Sequence, residues 1–242
     1  MSGHSKWNNI KHKKEKTDAQ KAKVFTKIGK EIALAVKMGG AEPTSNSKLR
    51  DLIQKAKSLN VPNDNIDRII KKASGADAVA YEEIYYEGYG PSGVAVIVKT
   101  TTDSRNRTAG NVRHYFDKFG GNLGQTGCVS YLFSDMGVIT ILKDEDVEID
   151  DDALMECALE AGAADFIAED EYYEIRTETD DVSAVAEALK AAGYEVAEAE
   201  VTKIPSTYVE LTSDDDIKYM NLLLEYLDED DDVTDVYHNW EN

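Results

Sequence analysis

The hydrophobic period changes once along this chain, near residue 80, and that change sets the fold class. Before it, apolar residues recur at three- and four-residue steps. Val24, Phe25, Ile28, Ile32, Ala35 and Val36 form one set, Leu49, Leu52, Ile53, Ala56 and Leu59 a second, and Ile66, Ile69, Ile70 and Ala73 a third. These spacings predict amphipathic helices over 17–38 and 47–59 and a short third helix stopped by Gly75. Thr17 and Gln20 supply a capping-box start for the first helix, Gly39-Gly40 its stop, and Pro62 the break before the third. Helices that each carry one apolar stripe bury it by sharing a core. Residues 1–79 are therefore expected to be a helical N-terminal domain with an extended arm at 2–16.

Beyond residue 80 short strand-like runs alternate with helical ones. Segments 83–87 and 94–101 flank Gly88-Tyr89-Gly90-Pro91-Ser92-Gly93 and predict a hairpin, followed by a helix over 105–119 and a strand over 129–133. The next elements are a strand at 138–142, a helix at 151–160, strands at 166–167 and 172–176, a helix at 182–191 and a strand at 195–201. This is the βαββαβ order of a ferredoxin-like unit. The remaining strand, helix and strand, at 208–211, 217–227 and 233–237, are too few to bury both faces of a sheet alone. Joined to the hairpin, helix and strand before residue 135, they complete a second unit of the same order with one extra strand in front. The expected architecture is α+β and multidomain. It comprises the N-terminal helices, a discontinuous α/β domain at 80–135 plus 205–242, and a ferredoxin-like domain inserted at 136–204.

Charge is distributed as unevenly as period. Residues 1–75 carry 17 Lys+Arg against 7 Asp+Glu, a net of +10, whereas 76–242 carry 10 against 40, a net of −30. A basic module on an acidic body implies a polyanionic partner for the basic end and repulsion of it elsewhere. A hydrophobic content of 42% with 31% charge fits a globular protein. No apolar run approaches the ~20 residues of a membrane helix, so no membrane partner is expected. The N-terminus lacks the apolar centre of a secretory signal. Cys128 and Cys157 are isolated, which suits a reducing, cytoplasmic compartment. The expected oligomeric state is a monomer.

Three stretches are candidates for chemistry. In the arm, Lys6, Lys11, His12, Lys13 and Lys14 surround Trp7, Asn8 and Asn9. Lysines bind phosphates, an indole stacks on an unpaired base, and asparagine hydrogen-bonds base edges or backbone. A flexible basic tail would look the same, but the opposing −30 body favours nucleic-acid contact. Lys21, Lys23 and Lys27 extend the positive face along the first helix. The second stretch, 101–108, leaves a strand and opens a helix, so Arg105, Asn106 and Arg107, with Arg113 further along, could hold an anion or phosphate at the helix N-terminus. Capping by Asp103 or Thr108 with arginine–carboxylate pairing is the equal alternative. The third comprises the acidic runs at 144–146, 150–152 and 228–232, which fit no calcium loop and read as solvated. The four histidines share no metal-ligand spacing, and no nucleophile is arranged with a base. Neither a cofactor nor a metal is expected, and the chain does not read as an enzyme.

Segments at 3–14 (GHSKWNNIKHKK), 23–32, 60–75, 86–98, 102–116 (TDSRNRTAGNVRHYF), 120–124 and 236–240 together resemble the YebC/PmpR family over essentially the whole length. Ser104 stands where that family often has Asn, and Ser92 where it often has Gly. The resemblance implies a helical N-terminal domain followed by two intertwined α/β domains. It also implies a role in gene expression: members are described as DNA-binding transcriptional regulators, others as ribosome-associated translation factors that relieve stalling at proline-rich stretches. A mitochondrial relative is a translational activator of cytochrome oxidase. By that resemblance Lys6, Trp7, Lys11, His12 and Lys13 are the nucleic-acid contacts, and a bacterial cytoplasmic member is expected. The implied partner is DNA or ribosomal RNA, with ribosomal proteins or transcription machinery as further partners. No helix-turn-helix with a distinct recognition helix is apparent in the sequence, which leans towards RNA. An acylphosphatase-type enzyme would have to use Arg105 and Asn106 on a phosphate, on fold analogy alone.

Overall fold

The computed structural model describes residues 18–143 and 149–241. The arm and the Thr17 capping box lie outside the described residues.

The chain begins with α1 (Asp18–Gly39), α2 (Ser47–Ser58) and α3 (Asn63–Ala73). Their stripes meet in one core of Ile28, Ile32, Ala35, Val36, Leu49, Leu52, Ala56, Val61 and Ile66. Asn46 joins the first two helices. Its side-chain oxygen accepts from the Leu49 amide at 3.1 Å, and its nitrogen donates to the carbonyls of Ala35 and Gly40 at 2.9 and 2.8 Å. One side chain thus caps the start of α2 and satisfies carbonyls at the end of α1. A Cβ at Gly39 would sit 2.7 Å from that side chain, so glycine is required there. Asn60, at φ 60°, turns the chain between α2 and α3.

The hairpin follows as β1 (Glu82–Tyr89) and β2 (Ala95–Thr102), paired antiparallel from Glu82↔Thr102 to Tyr89↔Ala95. The turn between them contains a short 3₁₀ segment at Pro91–Gly93, with Ser92 and Gly93 both at positive φ. Next come α4 (Arg105–Lys118) and a two-residue strand, β3 (Asn122–Leu123). The expected strand over 129–133 is not formed. Ser130–Leu132 is a 3₁₀ turn, and Phe133 opens the next strand instead. The amides of Gly127, Val129 and Ser130 donate to the buried Glu87 carboxylate at 2.8–2.9 Å, which removes them from any ladder.

The middle of the chain forms β4 (Phe133–Leu142), α5 (Asp151–Glu160), β5 (Asp165–Ala168), β6 (Tyr172–Thr177), α6 (Val182–Ala191) and β7 (Val196–Pro205). Its four strands run antiparallel in the order β5-β6-β4-β7. Ile139, Ile141, Tyr173 and Ile175 pack with Leu154, Ala158, Val185 and Leu189 of the two helices. The Asp150 carboxylate caps α5 by accepting from the amides of Asp152 and Ala153.

The chain closes with β8 (Val209–Glu210), α7 (Asp214–Glu229), β9 (Val233–His238) and β10 (Trp240–Glu241). Strand β9 pairs with β2, so the first sheet has the order β3-β1-β2-β9; β8 and β10 form a separate two-stranded pair. Val96, Val98, Val112, Phe116, Met220, Leu223 and Leu227 fill the core between that sheet and α4 and α7. The chain is thus α+β, with seven helices and antiparallel sheets among the described residues. Contacts group 18–131 with 209–240 in one compact unit and 132–208 in another.

Candidate nucleic-acid interface

Helix α1 carries the folded part of the basic segment. With Ile28, Ile32, Ala35 and Val36 turned to the core, the lysines at 23, 27 and 30 fall on one flank at i, i+4 and i+7. That flank meets the end of α7 and the acidic run that follows it. Lys23 lies 3.7 Å from the Glu229 carboxylate and donates to its carbonyl at 3.4 Å. Lys27 donates to the Asp228 carbonyl and, at 3.4 Å, to its carboxylate. Lys30 donates to the Asp231 carbonyl at 2.8 Å and to the Asp232 carboxylate at 2.7 Å. The end of a helix leaves unpaired carbonyls and a partial negative charge, so three cations there satisfy both. Lys21 also has an interaction partner.

Asp232 is the junction. It is 3% exposed, and besides Lys30 it accepts from Arg107 at 2.6 and 3.1 Å, from Thr108 at 2.8 Å and from Thr102 at 3.2 Å. Burial pushes its carboxyl pKa up, but Lys30, Arg107 and Thr108 outweigh that and hold it below the ordinary value. Asp230, also buried, accepts from Asn111 and Tyr115 at 3.0 Å and from the Asp232 amide at 2.9 Å. Burial followed by the Asp230 hydrogen bond pushes the Tyr115 hydroxyl up to about 12. A second junction ties α1 to the sheet: Lys99 on β2 donates to Glu31 at 3.2 Å and to Asp235 at 2.9 Å. One lysine thus hydrogen-bonds two carboxylates and lies 4.0 Å from a third, that of Glu83. Despite burial it is held protonated, while burial and the nearby Asp235 raise Glu31.

The candidate anion loop is similarly occupied. Arg105 binds Glu82 at 2.6 Å, and Arg107 bridges Asp232 and Asp103, the latter at 2.8 Å. Ser104 occupies the N-cap of α4 without a side-chain cap hydrogen bond, so neither Asp103 nor Thr108 caps the helix. Asn106 and Arg113 are exposed on the same helix. The arginine–carboxylate pairing weighed from the sequence is the geometry found at Arg105 and Arg107; at Arg113 no ion pair is formed among the described residues. Lys6, Trp7, Asn9, Lys11, His12, Lys13 and Lys14 lie outside the described residues. Lys37, Lys57, Lys71 and Lys72 on the three N-terminal helices are exposed.

The run at 228–232 is therefore no simple solvated loop, since Asp230 and Asp232 point inward. The signal that could have revealed this is the lysine spacing on α1, which makes a three-residue cationic flank matched to a short acidic run. Among the described residues there is no cluster of acids, histidines and cysteines that could hold a metal ion, and no helix is long and apolar enough to cross a membrane.

Comparison with known proteins identifies the family. A family model described as the TACO1/YebC protein N-terminal domain matches residues 5–76, and one described as the TACO1/YebC second and third domain matches 81–240. The chain belongs to the TACO1/YebC family. A relative from Acetivibrio thermocellus is 61% identical over 99% of both chains, and one from Ruminiclostridium cellulolyticum is 60% identical over 100% of this chain and 97% of its own. Both are described as a "probable transcriptional regulatory protein". Among solved structures, a conserved hypothetical protein from Aquifex aeolicus matches with a TM-score of 0.84 and 41% identity, over 93% of this chain and 92% of that one.

Proposed function

We propose that this chain is a non-enzymatic regulator of gene expression that binds nucleic acid through its basic N-terminal segment. The observation that carries the reading is the charge division, +10 over residues 1–75 against −30 over the rest. The boundary falls at the edge of the N-terminal family match. The proposed contacts are Lys6, Trp7, Asn9, Lys11, His12, Lys13 and Lys14, with Lys21, Lys23 and Lys27 behind them. The names of the relatives support transcription and hence DNA.

A specific observation favours RNA as a second reading. Lys23, Lys27 and Lys30 are engaged at the end of α7, so a duplex lying along that flank of the helix would have to open these pairs before Lys23 and Lys27 could contact it. What remains is an arm with an indole, suited to unpaired bases and irregular backbone. We infer further that 136–204 is a ferredoxin-like domain inserted into a discontinuous second domain, on the strand order β5-β6-β4-β7. The test is crosslinking in cells followed by sequencing of both RNA and DNA. Crosslinks at promoters would support the transcriptional reading and crosslinks in ribosomal RNA the translational one; crosslinks to neither would defeat the proposal.

A further inference from the structure

Gly110 is the sixth residue of α4, an interior helical position where glycine is less stable than alanine. Every other glycine of the described residues has either a positive φ or an atom within 4 Å of the place a Cβ would occupy, although at Gly75, which lies outside a helix, that atom is the Lys72 carbonyl oxygen at an ordinary 3.4 Å. Gly110 has neither. The chain thus keeps a destabilising residue on an exposed helix face that its own packing does not require. The same exposed face carries Asn106 one turn earlier and Arg113 and His114 one turn later. Arg105 and Arg107 are held by carboxylates, whereas Arg113 forms no ion pair among the described residues.

We propose that the Asn106, Gly110, Arg113 and His114 face of α4 is a second nucleic-acid contact that seats a stretch of RNA backbone. The missing Cβ lets ribose and phosphate come against bare helix. The Arg113 guanidinium donates to phosphate oxygens, and the Asn106 amide and His114 ring hydrogen-bond phosphate or 2′-hydroxyl groups. Duplex DNA fits less well. It presents a charge every ~1.7 Å along a straight axis, and residues 76–242, with a net of −30, would repel that length of polyanion. A bent RNA strand can touch the face locally. The proposal rests on the RNA reading above and adds a site outside the basic segment.

The full-length protein is titrated with a labelled single-stranded RNA and with duplex DNA of the same sequence. The variants are Gly110→Ala, Arg113→Ala and an arm triple of Lys6→Ala, Lys11→Ala and Lys13→Ala. Gly110→Ala should raise the thermal midpoint by about 2 °C through helix propensity and yet weaken RNA binding roughly fivefold, because the methyl group intrudes on the backbone. Arg113→Ala should weaken binding and flatten the log–log salt slope by about 0.7, one contact on a single strand. A more stable protein that binds worse cannot owe its defect to misfolding. If both α4 variants bind RNA like the wild type while the arm triple fails, the α4 site is overturned and the arm reading stands. If the α4 variants weaken and the arm triple does not, the α4 site stands and the arm reading falls. Preference for duplex DNA over RNA in the wild type would overturn the α4 site as an RNA contact.

Discussion

Glu87 shows how much a single side chain can decide without advertising itself in sequence. It sits in β1, where strand alternation gives it no special place, yet it is 5% exposed and accepts three backbone amides from 127–130. Burial alone would raise its pKa; the amides of Gly127, Val129 and Ser130 outweigh burial and hold it below 4.5. Glu87→Gln turns an acceptor-only group into one whose amide faces other donors, so it should cost about 1.5–3 kcal/mol at neutral pH in urea denaturation. The folded pKa is depressed, so this stabilisation is complete above 4.5 and is lost as pH falls through the folded value. The deficit of the variant should shrink over that acidic range; a constant deficit would mean the charge of Glu87 is not what holds the loop. The expected strand at 129–133 failed for the same reason. Val129 and its neighbours have strand-like composition, but their amides are claimed by a carboxylate some 40 positions earlier, and no local pattern encodes that.

At the scale of elements, helix and strand positions were largely legible because amphipathic period and glycine or proline stops act locally. The expected helices at 151–160 and 182–191 match α5 and α6. The use made of their charges was not legible. Lysines of α1 meet acids at the end of α7 that lie 201–206 positions away in sequence, and only the fold brings them together. This contact separates two roles for the same residues. If Lys27 serves chiefly to close α7, Lys27→Ala should cost about 1 kcal/mol of stability and leave nucleic-acid affinity nearly unchanged. If it serves chiefly in binding, affinity should fall and the midpoint should hold. Asp232→Ala should be far more severe. It leaves Lys30, with a side chain only 14% exposed, without its carboxylate, and takes the shared acceptor from Arg107, Thr108 and Thr102. Removing one partner from such a buried charge cluster costs about 3–5 kcal/mol. A loss below about 1 kcal/mol, as for an exposed pair, would mean the cluster is solvated in solution.

For the whole molecule, charge division makes folding and binding respond to salt with opposite signs. The net charge is −20, and residues 132–208 alone carry 22 Asp+Glu against 4 Lys+Arg. Like charges at this density repel one another and destabilise compact states. Raising ionic strength shortens the Debye length from about 30 Å at 0.01 M to about 8 Å at 0.15 M, so it should raise the thermal midpoint. Some of that gain is offset at the exposed pairs, such as Lys23 with Glu229, whose side chains are 42% and 63% exposed. The buried clusters around Asp232 and Lys99 should be little affected. Nucleic-acid binding should move the other way. The five arm lysines on phosphates would give a log–log slope of about −3.5 to −4.5, at ~0.7–0.9 per contact. The two titrations, run on the same sample, separate electrostatics of the fold from electrostatics of the arm. Replacing Lys11, Lys13 and Lys14 with alanine should flatten the binding slope by about 2–3 and leave the salt dependence of the midpoint unchanged. A binding slope that stays steep in that variant would place the phosphate contacts elsewhere and remove the arm from the interface.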